Sequence, residues 1–464
     1  MSGAPALRIA VVGAGYVGLV TAACLAELGH AVTAVDSDRA RIAALGAGGM
    51  PFFEPGLQGL VAAHRMTERL RFTHRLDDAV RRAELVFIAV GTPTGGDGAS
   101  DLRAVEAAVF AAAAAVQGPA TLVLKSTVPV GTHERLRRAL AERQPDGGAA
   151  RLALVSNPEF LREGSAIGDF LRPDRIIVGA DDEQDAALLL GVFAPLVEAG
   201  AQLLCMNPRS AELAKYASNG MLAARISFMN EMAQIADATG ADIEAVRAGV
   251  GSDRRIGSDF LRAGIGYGGS CFPKDVRALA HLARQHGLEA RMLDAVAATN
   301  ERHKRLLFDK MASHYRGEAG LRGKRIALWG LAFKPGTDDL REAPSLVLLE
   351  QLAAAGAEVA AYDPVAVPVA RRLLGERAGL CWCHSAADAL AGADALAVVT
   401  EWQEFVSGDP AAVQAALADG VVFDGRNCLP CDTWRGRGLQ VIQVGRPARD
   451  AQVFRAHLTA STMP

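Results

Sequence analysis

The chain of 464 residues lacks an excess of either charge: 49 lysines and arginines stand against 52 acids, a net charge of -3. That balance offers no basic surface of the kind that holds nucleic acid. Cysteine is scarce and odd in number, seven in all, which is no disulfide framework and fits a reducing cytoplasm. Uninterrupted apolar runs are missing too. Residues 9–26 come nearest, directly after Arg8, but Gly13, Gly15 and Gly18 break the run at set spacing. It divides into strand, turn and helix rather than a signal or membrane segment. The alanine-rich run 107–116 is too short to cross a bilayer and reads as a buried helix. No further residues at ligand spacing accompany Cys381/Cys383 or Cys428/Cys431, so these are taken as small buried hydrophobes and no metal is assigned. What is present is ordinary for a globular protein, 50% hydrophobic and 22% charged. The length exceeds a single core and predicts two or three domains.

Residues 8–12 form a β-branched run, and Gly13-Ala14-Gly15-Tyr16-Val17-Gly18 opens a helix reaching residue 28. A strand over 31–35 ends at Asp36, completing a βαβ unit. Strand-like runs at 85–90, 121–124, 152–155 and 175–178 alternate with alanine-rich stretches, predicting a mostly parallel, doubly wound sheet over 1–205. After Asn207-Pro208 the texture changes. Only Gly220 interrupts 209–239, and Leu213, Ala217, Met221, Ala224, Phe228, Met232 and Ile235 recur at spacings of three and four. This predicts a long helix that bridges domains or packs on a partner subunit, inside a helical region over 206–315. A second α/β unit over 316–464 has strands at 325–329, 358–362, 395–399 and 420–423 and a helix at 345–355, without the GxGxxG spacing. Residues from 447 on carry no pattern. The expected fold class is α/β: two Rossmann-like doubly wound domains joined by a helical domain with a long central helix.

The glycines at 13, 15 and 18 follow a strand and open a helix, the context in which a pyrophosphate approaches a helix N-terminus. Asp36 is placed for a ribose hydroxyl, and its charge repels a 2′-phosphate, favouring NAD over NADP. Arg41 either complicates that preference or lies along the adenosine. Thr92 in Gly91-Thr92-Pro93-Thr94 and Thr127 after Ser126 follow strands and are expected to face the cofactor cleft, although a lone threonine there serves equally as a helix cap. Asn157-Pro158-Glu159 reads as a cap, a first helical proline and an acid. Glu159 and Glu163 then share one helix face, where like charges raise one pKa; glutamates at a helix start also serve the dipole alone. Lys215 and Asn219, four apart on the long helix, project together or form its wet face.

In the second α/β unit, Gly330-Leu331-Ala332-Phe333-Lys334-Pro335, Arg341-Glu342 and Asp424-Gly425-Arg426 bring cations suited to a mononucleotide phosphate, with a purely structural domain as the alternative. The densest stretch is Gly266-Tyr267-Gly268-Gly269-Ser270-Cys271-Phe272-Pro273-Lys274-Asp275. A thiol after a glycine-rich loop, at a helix start and near a cation, sits where a thiolate is favoured. A buried cysteine on a turn is the plainer alternative.

Taken in order, GAGYVGL, GTPT, KSTVPVGT, NPEFLREG, ELAKYASN, RIG before FL, GYGGSCFPKD, LAFKPGTDDLRE, TEW and DGRN resemble the UDP-glucose/GDP-mannose dehydrogenase family over nearly the whole chain. The resemblance implies NAD-dependent, four-electron oxidation of a nucleotide sugar in a cytoplasmic homodimer, with no nucleic-acid or membrane partner. UDP-glucose is the first expectation; GDP-mannose or a UDP-N-acetylhexosamine is the alternative. It implies Cys271 as nucleophile, with Lys215, Asn219, Asp275, Thr127 and Glu159 around the reacting carbon and Glu163 between cofactor and substrate. Cofactor contacts are implied for Gly13, Gly15, Tyr16, Val17, Gly18, Asp36, Arg41, Thr92, Thr127, Glu163, Lys274 and Arg341. Substrate contacts are implied for Glu159, Phe160, Leu161, Lys215, Asn219, Phe260, Gly268, Phe333, Lys334 and Arg426, with Arg255 reaching the partner subunit's substrate. A two-electron hydroxyacid dehydrogenase has no need of Cys271, and a non-catalytic nucleotide-sugar sensor has no need of Cys271, Lys215 or Asp275.

Overall fold

The computed structural model describes residues 6–143 and 152–446; the outer ends of the expected segments 1–205 and 316–464 lie outside them. Contacts gather the chain into two compact units. One holds residues up to Ala223 with Gly269–Ala297 and Pro335–Asp339; the other holds Ala224–Gly268, Ala298–Lys334 and residues from Leu340.

In the first unit, β1 (Arg8–Val12), β2 (Ala31–Val35), β3 (Leu70–Thr73), β4 (Leu85–Ile88), β5 (Ala120–Leu124), β6 (Leu152–Ser156), β7 (Arg175–Gly179) and β8 (Gln202–Met206) form one sheet. Their order is β3-β2-β1-β4-β5-β6-β7-β8. All neighbours are parallel except β6 and β7, which meet antiparallel at Ser156 and Gly179. Both faces are covered. Ile9, Val11, Leu85 and Phe87 enter one apolar core, while Ala10, Val12, Val86 and Ile88 enter another on the opposite face. Burial on both faces is why β4 and β5 read as unbroken apolar runs.

The second unit repeats the plan with β9 (Arg325–Trp329), β10 (Glu358–Tyr362), β11 (Leu380–Trp382), β12 (Ala395–Val398), β13 (Val421–Asp424) and β14 (Gln440–Gln443). The order β11-β10-β9-β12-β13-β14 is parallel throughout. Five helices position the functional side chains or the turns beside them: α1 (Tyr16–Glu27), α2 (Thr132–Arg143), α3 (Pro208–Thr239), α4 (Phe272–Gln285) and α5 (Pro344–Ala354). The 32 residues of α3 span roughly 48 Å at 1.5 Å per residue. Shorter helices at Ile243–Gly251, Arg291–His303 and Leu306–His314 complete the helical middle. The expected α/β architecture, doubly wound at both ends with a long helix between, is the one the chain adopts.

Four strands escape the sequence pattern: β3, β8, β11 and β14. Each lies at a sheet edge. Edge strands bury less and mix polar with apolar residues, so they carry no continuous run. The expected strand over 85–90 stops at Ile88. There the Lys125 and Ser126 N–H groups both bond to the Ile88 carbonyl, and the Ser126 hydroxyl bonds to that of Val90 at 2.7 Å. Cys383 and Cys431 lie in the core of the second unit, whereas Cys381 is exposed on β11, against the expectation that it is buried.

Candidate active site

The first sheet reverses its winding between β1 and β4, and open α/β sheets bind ligands beyond the strand ends at such a point. The turn after β1 is built for close approach. Gly13 has φ +100°, and a Cβ there would lie 2.6 Å from the Ala89 carbonyl oxygen; one on Gly18 would lie 1.8 Å from that of Gly13. A Cβ on Gly15 would meet open space, and no side chain caps the first turn of α1. This cradle fits a pyrophosphate, and so fits NAD. Asp36 follows β2. Its Oδ2 accepts from the Ala14 N–H at 2.8 Å and from Arg41 at 2.9 Å, and its Oδ1 from the Asp38 N–H at 2.9 Å. Desolvation works against its charge, but these donors hold the carboxyl below its ordinary pKa. Arg41 is thus the partner of Asp36.

Tyr16 donates to Glu54, a buried acid whose two oxygens also accept from the Gly164 and Ala166 N–H groups at 2.6 and 2.8 Å. Val17 packs on the core beside it. The Thr92 hydroxyl donates to the Thr127 carbonyl at 3.0 Å, so Thr92 braces the neighbouring turn rather than capping a helix.

The chemical groups converge around the start of α4 in this same unit. Cys271 occupies the N-cap position, and Pro273 lies in the first turn. Asp275 is buried and accepts from Asn219 at 2.6 Å on one oxygen and from Lys274 at 2.6 Å on the other. Asn219 and Lys215 therefore do project together from α3. Lys215 is buried and pairs with Glu159 at 3.0 Å; its ammonium lies 5.3 Å above the Phe160 ring. Burial disfavours both charges. Even so, Glu159, Cys271 and Asp275 raise the Lys215 pKa, and Lys215 lowers that of Glu159, so the pair is ionised. Removing one member of such a buried pair strands the other, at about 3–5 kcal/mol.

Two expectations are corrected here. Residues 157–163 are not helical, so Glu159 and Glu163 share no helix face. Glu159 turns to Lys215 and accepts from the Leu161 N–H at 2.6 Å, while Glu163 accepts from Ser270 at 3.2 Å and Thr337 at 2.9 Å. Asn157 is no cap either: it accepts from Lys125 at 2.9 Å and donates to the Ile177 carbonyl at 2.8 Å. The second correction concerns Cys271. Burial pushes the thiol pKa up, and Glu159 and Asp275 add to this more than Lys215 and Ser270 relieve it. Without ligands the sulfur is a thiol, not the expected thiolate.

In the second unit, the Arg426 guanidinium donates to the carbonyls of Val399 at 2.8 Å, Gly266 at 2.8 Å and Phe333 at 3.2 Å. It thereby ties together the loops that carry Gly268, Phe333 and Lys334. A Cβ on Gly268 would lie 2.5 Å from the Glu342 carbonyl oxygen, so only glycine fits there. Lys334 lies over the Phe333 ring at 5.5 Å, and Phe260 takes a left-handed φ of 58°. Arg341 is exposed just before α5. Arg255 is exposed as well, paired with Asp253 at 2.6 Å.

Sequence reading passed over Lys125, Glu54 and Glu212. Lys125 had a signal: a lysine continuing the apolar run of β5 must be buried and paired, and burial lowers its pKa to about 8. Glu54 had none, because its partners lie near residues 16 and 165.

Comparison with known proteins agrees with this geometry. Residues 7–197 match the NAD binding domain of the UDP-glucose/GDP-mannose dehydrogenase family, 209–302 its central domain and 327–430 its UDP binding domain. The chain is 48% identical to UDP-glucose 6-dehydrogenase of Pseudomonas aeruginosa, over 95% of this chain and 98% of that one. It is 44% identical to the enzyme of that name from Rhizobium meliloti, over 95% and 100%. A solved UDP-glucose dehydrogenase from the hyperthermophilic archaeon Pyrobaculum islandicum superposes with a TM-score of 0.85 at 38% identity, covering 97% of this chain and 99% of that one. With a dinucleotide cradle and a cluster of buried charges around Cys271 in one unit, and Arg426 tying the Gly266 and Phe333 loops in the other, the chain belongs to the UDP-glucose/GDP-mannose dehydrogenase family.

Proposed function

We propose that the chain oxidises C6 of UDP-glucose to the carboxylate of UDP-glucuronate, using two NAD and one water per sugar and holding the carbon on Cys271 between the oxidations. The observation that carries this reading is the buried set of Lys215, Glu159 and Asp275, whose charges all act on the one cysteine. NAD, when bound, accepts one hydride per molecule, so a four-electron oxidation takes two in turn. Asp275, held by Asn219 and Lys274, takes the hydroxyl proton through a water at Thr127 as the first hydride leaves C6, which together give an aldehyde. The Cys271 sulfur adds to the aldehyde carbon, its proton passing to the new oxygen, which develops its charge against the Lys215 ammonium and the Asn219 amide. Loss of the C–H hydride and the hydroxyl proton then leaves a thioester. Water activated by Glu159 cleaves the C–S bond, releasing the carboxylate and restoring the thiol. Because the resting sulfur is protonated, its addition is coupled to proton transfer, a step in which a placed base contributes ~10²–10⁴-fold.

Phe260, Gly268, Phe333, Lys334 and Arg426 are assigned to the nucleotide sugar together with Phe160 and Leu161, and Arg341, Lys274 and Glu163 to the cofactor side. The segments 1–205, 206–315 and 316–464 are assigned to dinucleotide binding, dimerisation and UDP-sugar binding. A homodimer in a reducing cytoplasm fits the seven free cysteines and the exposed Leu213, Met221, Phe228 and Ile235 along α3. Apolar residues seven or eight apart on one helix suit a partner surface, and Arg255 is assigned to the partner subunit's substrate. A monomer by light scattering would overturn that part.

The main test counts NADH per UDP-glucose. Two per sugar with UDP-glucuronate as product is the expected outcome; one NADH with a released aldehyde or ketone would overturn the covalent reading. Cys271→Ala is expected to abolish acid formation while leaving UDP-glucose binding nearly intact, and normal turnover in that variant would refute the nucleophile.

A further inference from the structure

Glu212 is a buried acid on α3 to which the covalent mechanism gives no task. It stands one turn before Lys215 and faces the turn that follows Thr127. Its Oε2 accepts from the Gly131 N–H at 2.7 Å and its Oε1 from the His133 N–H at 2.8 Å. The His133 N–H belongs to the first turn of α2, and such donors have no partner inside their own helix. The rest of the turn is held by Thr132 Oγ1 to the Pro129 carbonyl at 2.6 Å and by the more distant Thr92 to Thr127 at 3.0 Å. A second link joins α3 to the first turn of α2, the pair of Arg209 and Glu134, but it lies exposed on the surface, whereas the Glu212 bonds are inside. Thr127, Glu212 and Lys215 also line one small cleft, its cavity volume about 10 Å³, room for a single water.

We propose that Glu212 is a positioning residue: by bridging α3 to the turn after Thr127, it sets Thr127 against Lys215, the two sites of proton removal and oxyanion stabilisation. The inference rests on the roles proposed above for those two residues. Only a carboxylate offers both oxygens free of protons to two N–H groups. Burial raises the Glu212 pKa to about 7; the His133 and Gly131 N–H groups and Arg209 oppose this, and Glu134 adds to it. The other charged or titratable groups nearby are Lys215 and Tyr216 on α3 and His133 on α2 with its neighbours Asp181 and Arg137. Inside the buried site only the ionised carboxylate accepts both N–H groups, so above neutral pH the bridge has both bonds and below it the added proton displaces one. Burial nevertheless makes the ionised form the costlier one for the fold.

Glu212→Gln keeps the shape but turns an N–H donor toward one of the two N–H groups. Its kcat with UDP-glucose and NAD is expected to fall about 10- to 100-fold, with both KM values within about twofold. An acidic limb of the kcat profile near pH 7 in the unaltered enzyme is expected to vanish in the variant. Glu212→Asp, with both oxygens on a shorter arm, recovers part of the rate and Glu212→Ala none. Hydrogen exchange at pH 8 supplies a readout independent of turnover: the Gly131 and His133 amides exchange faster in Glu212→Gln, while α1 and β1 to β5 are unchanged. Wild-type kcat and wild-type exchange in that variant would overturn the inference, as would a uniform loosening of the unit. If the unaltered enzyme does not turn over UDP-glucose, the functional reading falls instead, and exchange at the two amides still decides whether the bridge exists.

Discussion

The two sheets share a frame down to single hydrogen bonds, yet they use it in opposite ways. In the first, the Gly13 N–H bonds to the Val35 carbonyl at 2.8 Å; in the second, the Gly330 N–H bonds to that of Tyr362 at the same distance. Both glycines have positive φ, +100° and +98°, and in each sheet an aspartate follows the strand beside the turn. Asp36 receives one turn N–H, from Ala14, and is partly exposed beside Arg41. Asp363 is buried and receives five donors: the N–H groups of Leu331, Ala332, Val365 and Ala366 and the Trp402 indole. The difference lies in the residues after the glycine. After Gly13 a helix begins almost at once, its N-terminal N–H groups open to an anion. After Gly330 comes a long loop over 331–343, and α5 starts only at Pro344, so the acid holds the start of the loop together. One aspartate is available to a ligand; the other belongs to the fold.

The largest effect is expected at Asp363. Asp363→Asn puts an amide N–H against backbone donors and leaves at least two without an acceptor, at about 1–3 kcal/mol each. A loss of about 3 kcal/mol in urea or thermal unfolding is expected, and an unchanged midpoint would break the contrast. Asp36→Asn is expected to leave unfolding nearly unaltered but to raise KM for NAD about tenfold, the worth of a weak charge-assisted hydrogen bond. It is also expected to narrow the preference over NADP, because Arg41 loses its partner. Unfolding comparable to that of Asp363→Asn would show that both acids are structural. The smallest effect sharpens the chemistry of the first unit. With its thiol raised above the ordinary value of 9.0, Cys271 in the ligand-free protein is protonated at pH 8. Its alkylation by iodoacetamide is expected to be slower than that of free cysteine there and to keep climbing above pH 9. A plateau below pH 8 would mean a preformed thiolate.

Legibility followed physical range. The central strands β1, β4, β9 and β12 announced themselves because burial on both faces demands apolar residues at every position. The edge strands β3, β8, β11 and β14 did not, because half their surface faces water. The cysteine loop and the Lys215/Asn219 pair were visible because each lies on one local element. Glu159 and Glu163 were misread for the same reason: spacing of four suggests a shared face only if the segment is helical. Here the segment is not helical, and Asn157 is bonded to Lys125 and Ile177, residues 32 and 20 positions away.

Composition and motif spacing were enough to establish two doubly wound α/β domains, only the first with a dinucleotide fingerprint, a long helix between them and a cysteine at the head of a glycine-rich loop. These depend on local conformation and periodicity, which the order of residues carries directly. The protonation of that cysteine, the pairing of Glu159 with Lys215, the burial of Asp363 and the bridge from Glu212 to the turn after Thr127 were settled only by folding. Each depends on desolvation and on distances between groups remote in the chain, and neither exists until the chain is packed.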